Sequence, residues 1–181
     1  LLQLLPSTAG RERVFTTEAI EKENLRGLQS PPSWNGYYFF RHGERRADNC
    51  AACPVTASTL DILPLSHVRD HGPEVLFSVF TAGTHLLPHR GVTNTRLVGH
   101  LPLLVPPDCA LKVGGEVHEW REGRAVIFDD TYEHEAWNRS DRTRVVLIFD
   151  IWNPHLTEAE CAAVEMIVPA MGDFRKAAEA A

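Results

Sequence analysis

The chain has 181 residues, enough for one domain with a real hydrophobic core. Its 18 basic and 24 acidic residues give a net charge of −6, which argues against a nucleic-acid partner. No apolar run approaches the roughly 20 residues that span a bilayer, so stable membrane insertion is not expected.

The opening Leu1-Leu2-Gln3-Leu4-Leu5 is too short for a secretory leader, and no basic segment precedes it. Of four cysteines only Cys50 and Cys53 are close, as Cys-Ala-Ala-Cys. One such pair is a weak zinc signal, because a structural zinc needs four ligands. Nothing demands an oxidising compartment, and a cytoplasmic setting is expected.

In chain order, residues 1–70 read as a flank of helices and loops. Thr16-Thr17-Glu18-Ala19 offers a cap and an acidic first turn, predicting a helix that ends near Gly27. Ser30-Pro31-Pro32-Ser33 breaks the chain. Tyr37 to Phe40 suits a short buried strand, Arg41 to Arg46 a charged turn, and Pro54 to Leu63 a short helix with Thr56 as one possible cap.

From residue 74 the pattern changes. Strands are predicted over Glu74–Phe80 and Thr95–Val105, with residues 88–97 as the connection leading into the second. Ala110–Val113 and Glu116–Trp120 form a hairpin around Gly114-Gly115. Arg124–Phe128, His134–Asn138 and Arg142–Trp152 complete the set, and a helix follows Pro154, with Thr157-Glu158-Ala159-Glu160 at its start. Short strands at close spacing, divided by Gly, Pro and Asp turns, predict a mainly β fold. The expected architecture is a cupin-like jelly roll, a double-stranded β-helix, over residues 74–153, with flanking N- and C-terminal helices, the latter over 155–181.

Nine histidines are present, and a lone one is usually a surface or core residue. His89 and His134 are the metal candidates, one on the connection after a strand and the other at the start of a late strand. Imidazole suits iron, zinc, copper and nickel alike. Arg144 stands in the apolar run Thr143 to Phe149, and a buried arginine needs an anion. That anion is either a core carboxylate such as Asp129 or Asp130, or a ligand carboxylate held by the guanidinium fork. A hairpin centred on Arg139 would set His134 opposite Arg144 on one face. Alternation puts Leu76, Ser78 and Phe80 on one face, and Arg96, Val98 and His100 on one face of the next strand.

Phe77-Ser78-Val79, Gly83-Thr84-His85, Pro88-His89-Arg90-Gly91-Val92-Thr93-Asn94, Ile127-Phe128-Asp129-Asp130, Glu133-His134-Glu135-Ala136-Trp137 and Asp150-Ile151-Trp152-Asn153-Pro154 together resemble the aspartyl/asparaginyl β-hydroxylase family. The likeness covers residues 74–160 well and Tyr37–Leu65 more loosely. It implies Fe(II), with 2-oxoglutarate and O2 as co-substrates. By position it implies His89 and His134 as iron ligands, Arg144 with Ser78 holding the distal carboxylate of 2-oxoglutarate, and His100 beside it. Animal members have an arginine where this chain has Val98, and Arg96, two residues earlier on the same face, is the substitute available.

The position two after the first histidine, where a facial triad carries its carboxylate, is Gly91. The resemblance implies two histidines with water in the third place. Such a glycine also suits a halide, so halogenation stands beside hydroxylation. Asp129 and Asp130 are expected to cap a turn or orient a neighbour. The implied substrate is a peptide or small molecule, oxidised at an aliphatic carbon such as the β-carbon of Asp or Asn. A lipid acyl chain is an alternative, as is a non-oxidative cupin that binds metal and a small acid or sugar. The turn from Arg41 to Arg46 could meet an acidic substrate.

Overall fold

Val75–Phe80 and Arg144–Trp152 are apolar on both faces because both faces are covered. In the computed structural model, which describes residues 34–179 and the two short strands Glu12–Arg13 and Gln29–Ser30, these segments lie side by side in the larger of two sheets. The strands are β1 (Glu12–Arg13), β2 (Gln29–Ser30), β3 (Trp34–Arg41), β4 (Glu44–Arg45), β5 (Val75–Phe80), β6 (His85–His89), β7 (Arg96–Leu104), β8 (Cys109–Val113), β9 (Glu116–Glu119), β10 (Val126–Phe128), β11 (His134–Asn138) and β12 (Arg144–Trp152). The helices are α1 (Ala47–Ala52), α2 (Pro54–Leu60) and α3 (Glu158–Glu179).

The larger sheet runs β1-β3-β5-β12-β7-β10, with β4 on β3, and the smaller runs β2-β6-β11-β8-β9. All pairings are antiparallel. This is a cupin-like jelly roll. Period-two alternation divides its core. Val75, Phe77, Val79, Val145, Leu147 and Phe149 pack outward with Tyr37 and Phe39 under α1 and α2. Leu76, Ser78, Phe80, Arg144, Ile148 and Asp150 face inward, towards the smaller sheet.

Several sequence expectations hold. Gly114 and Gly115 both take positive φ, +57° and +94°, in the two-residue turn from β8 to β9. Thr157 and Glu160 form a capping box: the Glu160 N–H donates to Thr157 Oγ1, and Thr157 N–H and O–H donate to Glu160 Oε2. Asp129 caps a turn through the Thr131 N–H.

Others are corrected. His89 ends a strand, β6, rather than lying on a connection. Pro88 hid that strand, and a register shift opposite Glu135 accommodates the residue that cannot donate. Thr56 lies inside α2, whose N-cap is Cys53 with Pro54 in the first turn. Helix α1 falls where no element was predicted. The helix predicted over 16–27 lies outside the described residues.

The hairpin between His134 and Arg144 does not form. β11 and β12 belong to opposite sheets. Asn138, fully buried, turns the chain from one to the other, its amide donating to the carbonyls of Phe80, Thr81 and Arg142. The two residues therefore meet across the sandwich, not along a ladder.

Candidate active site

A cavity of about 310 Å³ opens between the sheets. It is lined by His89, His134, Ser78, Arg96, His100 and Arg144, so every candidate site residue reaches one space. Val98 lines it as well.

His89 and His134 are direct register partners on β6 and β11. Their ring centroids are 4.1 Å apart. His89 Nδ1 is 2.8 Å from the Leu87 carbonyl, and His134 Nδ1 is 3.0 Å from the Tyr132 carbonyl. A carbonyl can only accept, so each Nδ1 carries a proton, and in the neutral ring each Nε2 keeps its lone pair. Such a bond orients a histidine that ligates metal. Burial, and secondarily the neighbouring His134, lower the pKa of His89, which favours the neutral ring. Among the described residues no third His, Cys, Asp or Glu joins the pair in metal-binding geometry.

Gly91 explains part of that vacancy. A Cβ built on it would collide with the Asp130 carboxylate. The Gly91 N–H also donates to the Asp130 carbonyl at 2.7 Å. The Asp130 side chain thus fills the space a residue-91 side chain would need. Its Oδ1 is buried without a hydrogen-bond partner, while Oδ2 accepts from Arg96. Gly91→Ala is expected to push this carboxylate off Arg96 and to cost about 1–3 kcal/mol of stability, the usual penalty of overpacking. Thermal unfolding of the variant against the parent measures it.

Arg144 is 1% exposed. Its Nη1 donates to the Ser78 carbonyl and to Ser78 Oγ, each at 3.1 Å. Nε is buried with no partner, and no carboxylate among the described residues pairs with the guanidinium. The ion pair with Asp129 or Asp130 is absent. Burial pulls the pKa of Arg144 down to about 9. Phe80 and Trp120 hold the guanidinium by their ring faces, with centroids 3.7 and 4.7 Å from Cζ.

Trp34 was not singled out from sequence. Its Nε1–H donates to Ser78 Oγ at 2.9 Å. With Arg144 donating to the same atom, both acceptor positions of the hydroxyl are filled. The Ser78 O–H is left to donate, which suits an anion. The signal was available: Trp34, Gly36 and Tyr38 pair with Phe80, Ser78 and Leu76, so they share the inward face. Trp120, read only as a strand end, was missed for the same role beside Arg144. His100 is buried, and burial lowers its pKa to about 3, so the ring is neutral. Its Nδ1 has no partner.

Arg96 differs from Arg144. It pairs with Asp130 at 3.0 Å and Asp150 at 3.3 Å. The Glu74 backbone N–H donates to Asp150 Oδ2, and the Glu74 carboxyl lines the same wall. Burial raises the pKa of Glu74 to about 7 and that of Asp150 to about 6. A carboxyl with a raised folded-state pKa stabilises the fold below its unfolded value and loses that contribution as pH rises. These two carboxyls therefore withdraw stability as pH rises from 4.5 to about 7, against His100 and His89, whose lowered pKa values add stability as pH rises towards 6.5; across that window Glu74→Gln is expected to lose less stability than the parent. Unfolding midpoints across that window check the sign.

A cupin-like jelly roll whose cavity holds a histidine pair and a buried guanidinium with no carboxylate partner among the described residues defines the class of fold. Within it, the chain belongs to the aspartyl/asparaginyl β-hydroxylase family, whose profile matches residues 3–154. It is 36% identical over 138 residues to the human aspartyl/asparaginyl β-hydroxylase, covering 76% of this chain and 18% of that protein. It is 37% identical over 134 residues to an ornithine lipid ester-linked acyl 2-hydroxylase of Rhizobium tropici, covering 72% and 46%. The chain thus spans less than half the length of either relative. A crystal structure described as a predicted oxalate decarboxylase, from Thermotoga maritima, superposes over 79% of this chain and 92% of that one at 12% identity, with a TM-score of 0.48. No helix among the described residues is long and apolar enough to cross a membrane.

Proposed function

We propose that this chain is an Fe(II)- and 2-oxoglutarate-dependent dioxygenase that hydroxylates an aliphatic carbon. One observation carries the reading. The cavity lined by both histidines also holds a fully buried guanidinium that no carboxylate among the described residues pairs with. A buried cation without a counterion is costly, and a dicarboxylate co-substrate supplies one.

His89 and His134 would hold the iron through Nε2. Two protein ligands leave room on the metal for a chelating oxo acid and a further ligand. Arg144 and the Ser78 O–H would hold the distal carboxylate, and Trp34 fixes which way that hydroxyl points. His100, neutral, offers a ring N–H without adding charge. Bound iron and 2-oxoglutarate supply the oxidising chemistry, in which O2 is consumed, C–H becomes C–OH, and succinate and CO2 leave. The apolar walls, Leu76, Phe128 and Ile148 among them, exclude water from the reacting carbon.

The family supports hydroxylation. The names of the relatives divide the substrate between aspartyl or asparaginyl residues and a lipid acyl chain.

Anaerobic titration of the Fe(II)-loaded protein with 2-oxoglutarate tests the proposal. A visible metal-to-ligand charge-transfer band is expected, weakened by loss of Arg144. A folded, iron-loaded sample with no band would sink it and favour a metal-binding cupin without oxidase chemistry.

A further inference from the structure

We propose that the exposed face of α3 is a self-docking surface, on which the same helix of a second copy of this chain lies antiparallel.

Helix α3 lies beyond the residues that match the family, which end at 154. None of its residues lines the cavity. One side is tied to the body. Pro169 is buried, Gly172 lies against His71, Asp173 pairs with Arg69 at 2.6 Å, and Lys176 lies 3.8 Å from Asp70. The other side is apolar and open. Met166, Ile167, Met171 and Phe174 are 49–77% exposed. Ala170 and Ala177, also exposed, fall on the same side. At 3.6 residues per turn the six lie within an arc of about 140°, as wide as the stripe that a core-facing helix buries. The four large side chains leave roughly 500 Å² of apolar surface on that stripe, at the upper end of what a monomer exposes.

The stripe is complementary to itself. Met166 and Phe174 stand four residues before and after Ala170. In an antiparallel pair centred on Ala170, Met166 of each copy meets Phe174 of the other, a favourable sulfur–aromatic contact. Alanine at the centre lets the two axes approach. The charges divide by end, with Glu158, Glu160 and Glu165 in the first half and Arg175 and Lys176 in the last turns. Antiparallel pairing sets each acidic half against a basic end and opposes the two macrodipoles, whereas parallel pairing would put like charges together. Asp173, the acid out of place, is already held by Arg69. Two such patches bury about 1,000 Å², the lower bound of a specific interface, which fits a weak, reversible dimer. An anionic membrane surface fits poorly, because α3 carries five acidic residues and two basic ones.

Sedimentation equilibrium of the full chain at physiological salt, from about 1 to about 500 µM, tests the surface. The mass is expected to rise with concentration from 20.2 kDa towards twice that value. Met166→Lys and Phe174→Glu, both at exposed positions, are each expected to weaken association at least ~10-fold with the circular dichroism spectrum unchanged. The double variant Met166→Lys/Phe174→Glu is expected to regain most of it, because the opposite charges then face one another across the pair. A parent that stays at 20.2 kDa throughout overturns the proposal. Binding of that monomer to phosphatidylcholine vesicles, lost in both single variants, would give the stripe to a lipid surface instead. Association unmoved in both single variants also overturns it and places the contact elsewhere. A double variant no stronger than the singles overturns the antiparallel pairing.

Discussion

Arg144→Met is expected to raise the KM for 2-oxoglutarate about 100-fold and to leave the protein at least as stable as before. The guanidinium is fully buried, bonded only to Ser78, and held between Phe80 and Trp120. Losing one side of a buried charge pair costs roughly 2–5 kcal/mol, and about 3 kcal/mol is a factor near 100. Stability moves the other way. Without co-substrate the charge has no counterion, and an apolar side chain of similar length can be neutral or stabilising there. Titration with 2-oxoglutarate and thermal unfolding of the free protein separate the two effects. A variant that loses stability while keeping its KM would mean that Arg144 is purely structural.

The double variant His89→Ala/His134→Ala is expected to lose bound iron and to lower turnover by ~10³ or more. The charge-transfer band should disappear. Removing a hydrogen-bond partner of a ligand histidine already costs about 10–100-fold in metal affinity, so removing both ligands must cost more. Both rings are half-buried and line the cavity. Their loss should leave the circular dichroism spectrum unchanged. Metal analysis after gel filtration is the direct readout, and full iron content in the double variant would place the metal elsewhere.

Much of this arrangement was legible in the residue order. Alternation along β5 and β7 placed Ser78, Arg96, Val98 and His100 on inward faces, because successive side chains of a strand point oppositely whatever surrounds them. The apolar run around Arg144 predicted burial, and the Gly114-Gly115 pair predicted a tight hairpin, since only glycine takes two positive φ angles without strain. These are local properties, set by the backbone within a few residues.

Tertiary structure alone decided how the faces meet. The short loop after His134–Asn138 reads as a hairpin, yet Asn138 carries the chain into the other sheet through bonds to residues more than 50 positions away. Pro88 reads as a breaker, yet a register shift lets β6 continue to His89. Arg96 and Arg144 look alike as inward arginines. Only the fold shows that Arg96 is paired with Asp130 and Asp150 while Arg144 is paired with no acid among the described residues. The reason is physical: a strand's period fixes which way a side chain points, whereas its charge balance depends on which distant strands lie beside it. Composition, patterning and motif thus determined the sheet faces and the candidate site residues, and strand order determined which of them are left without a partner acid.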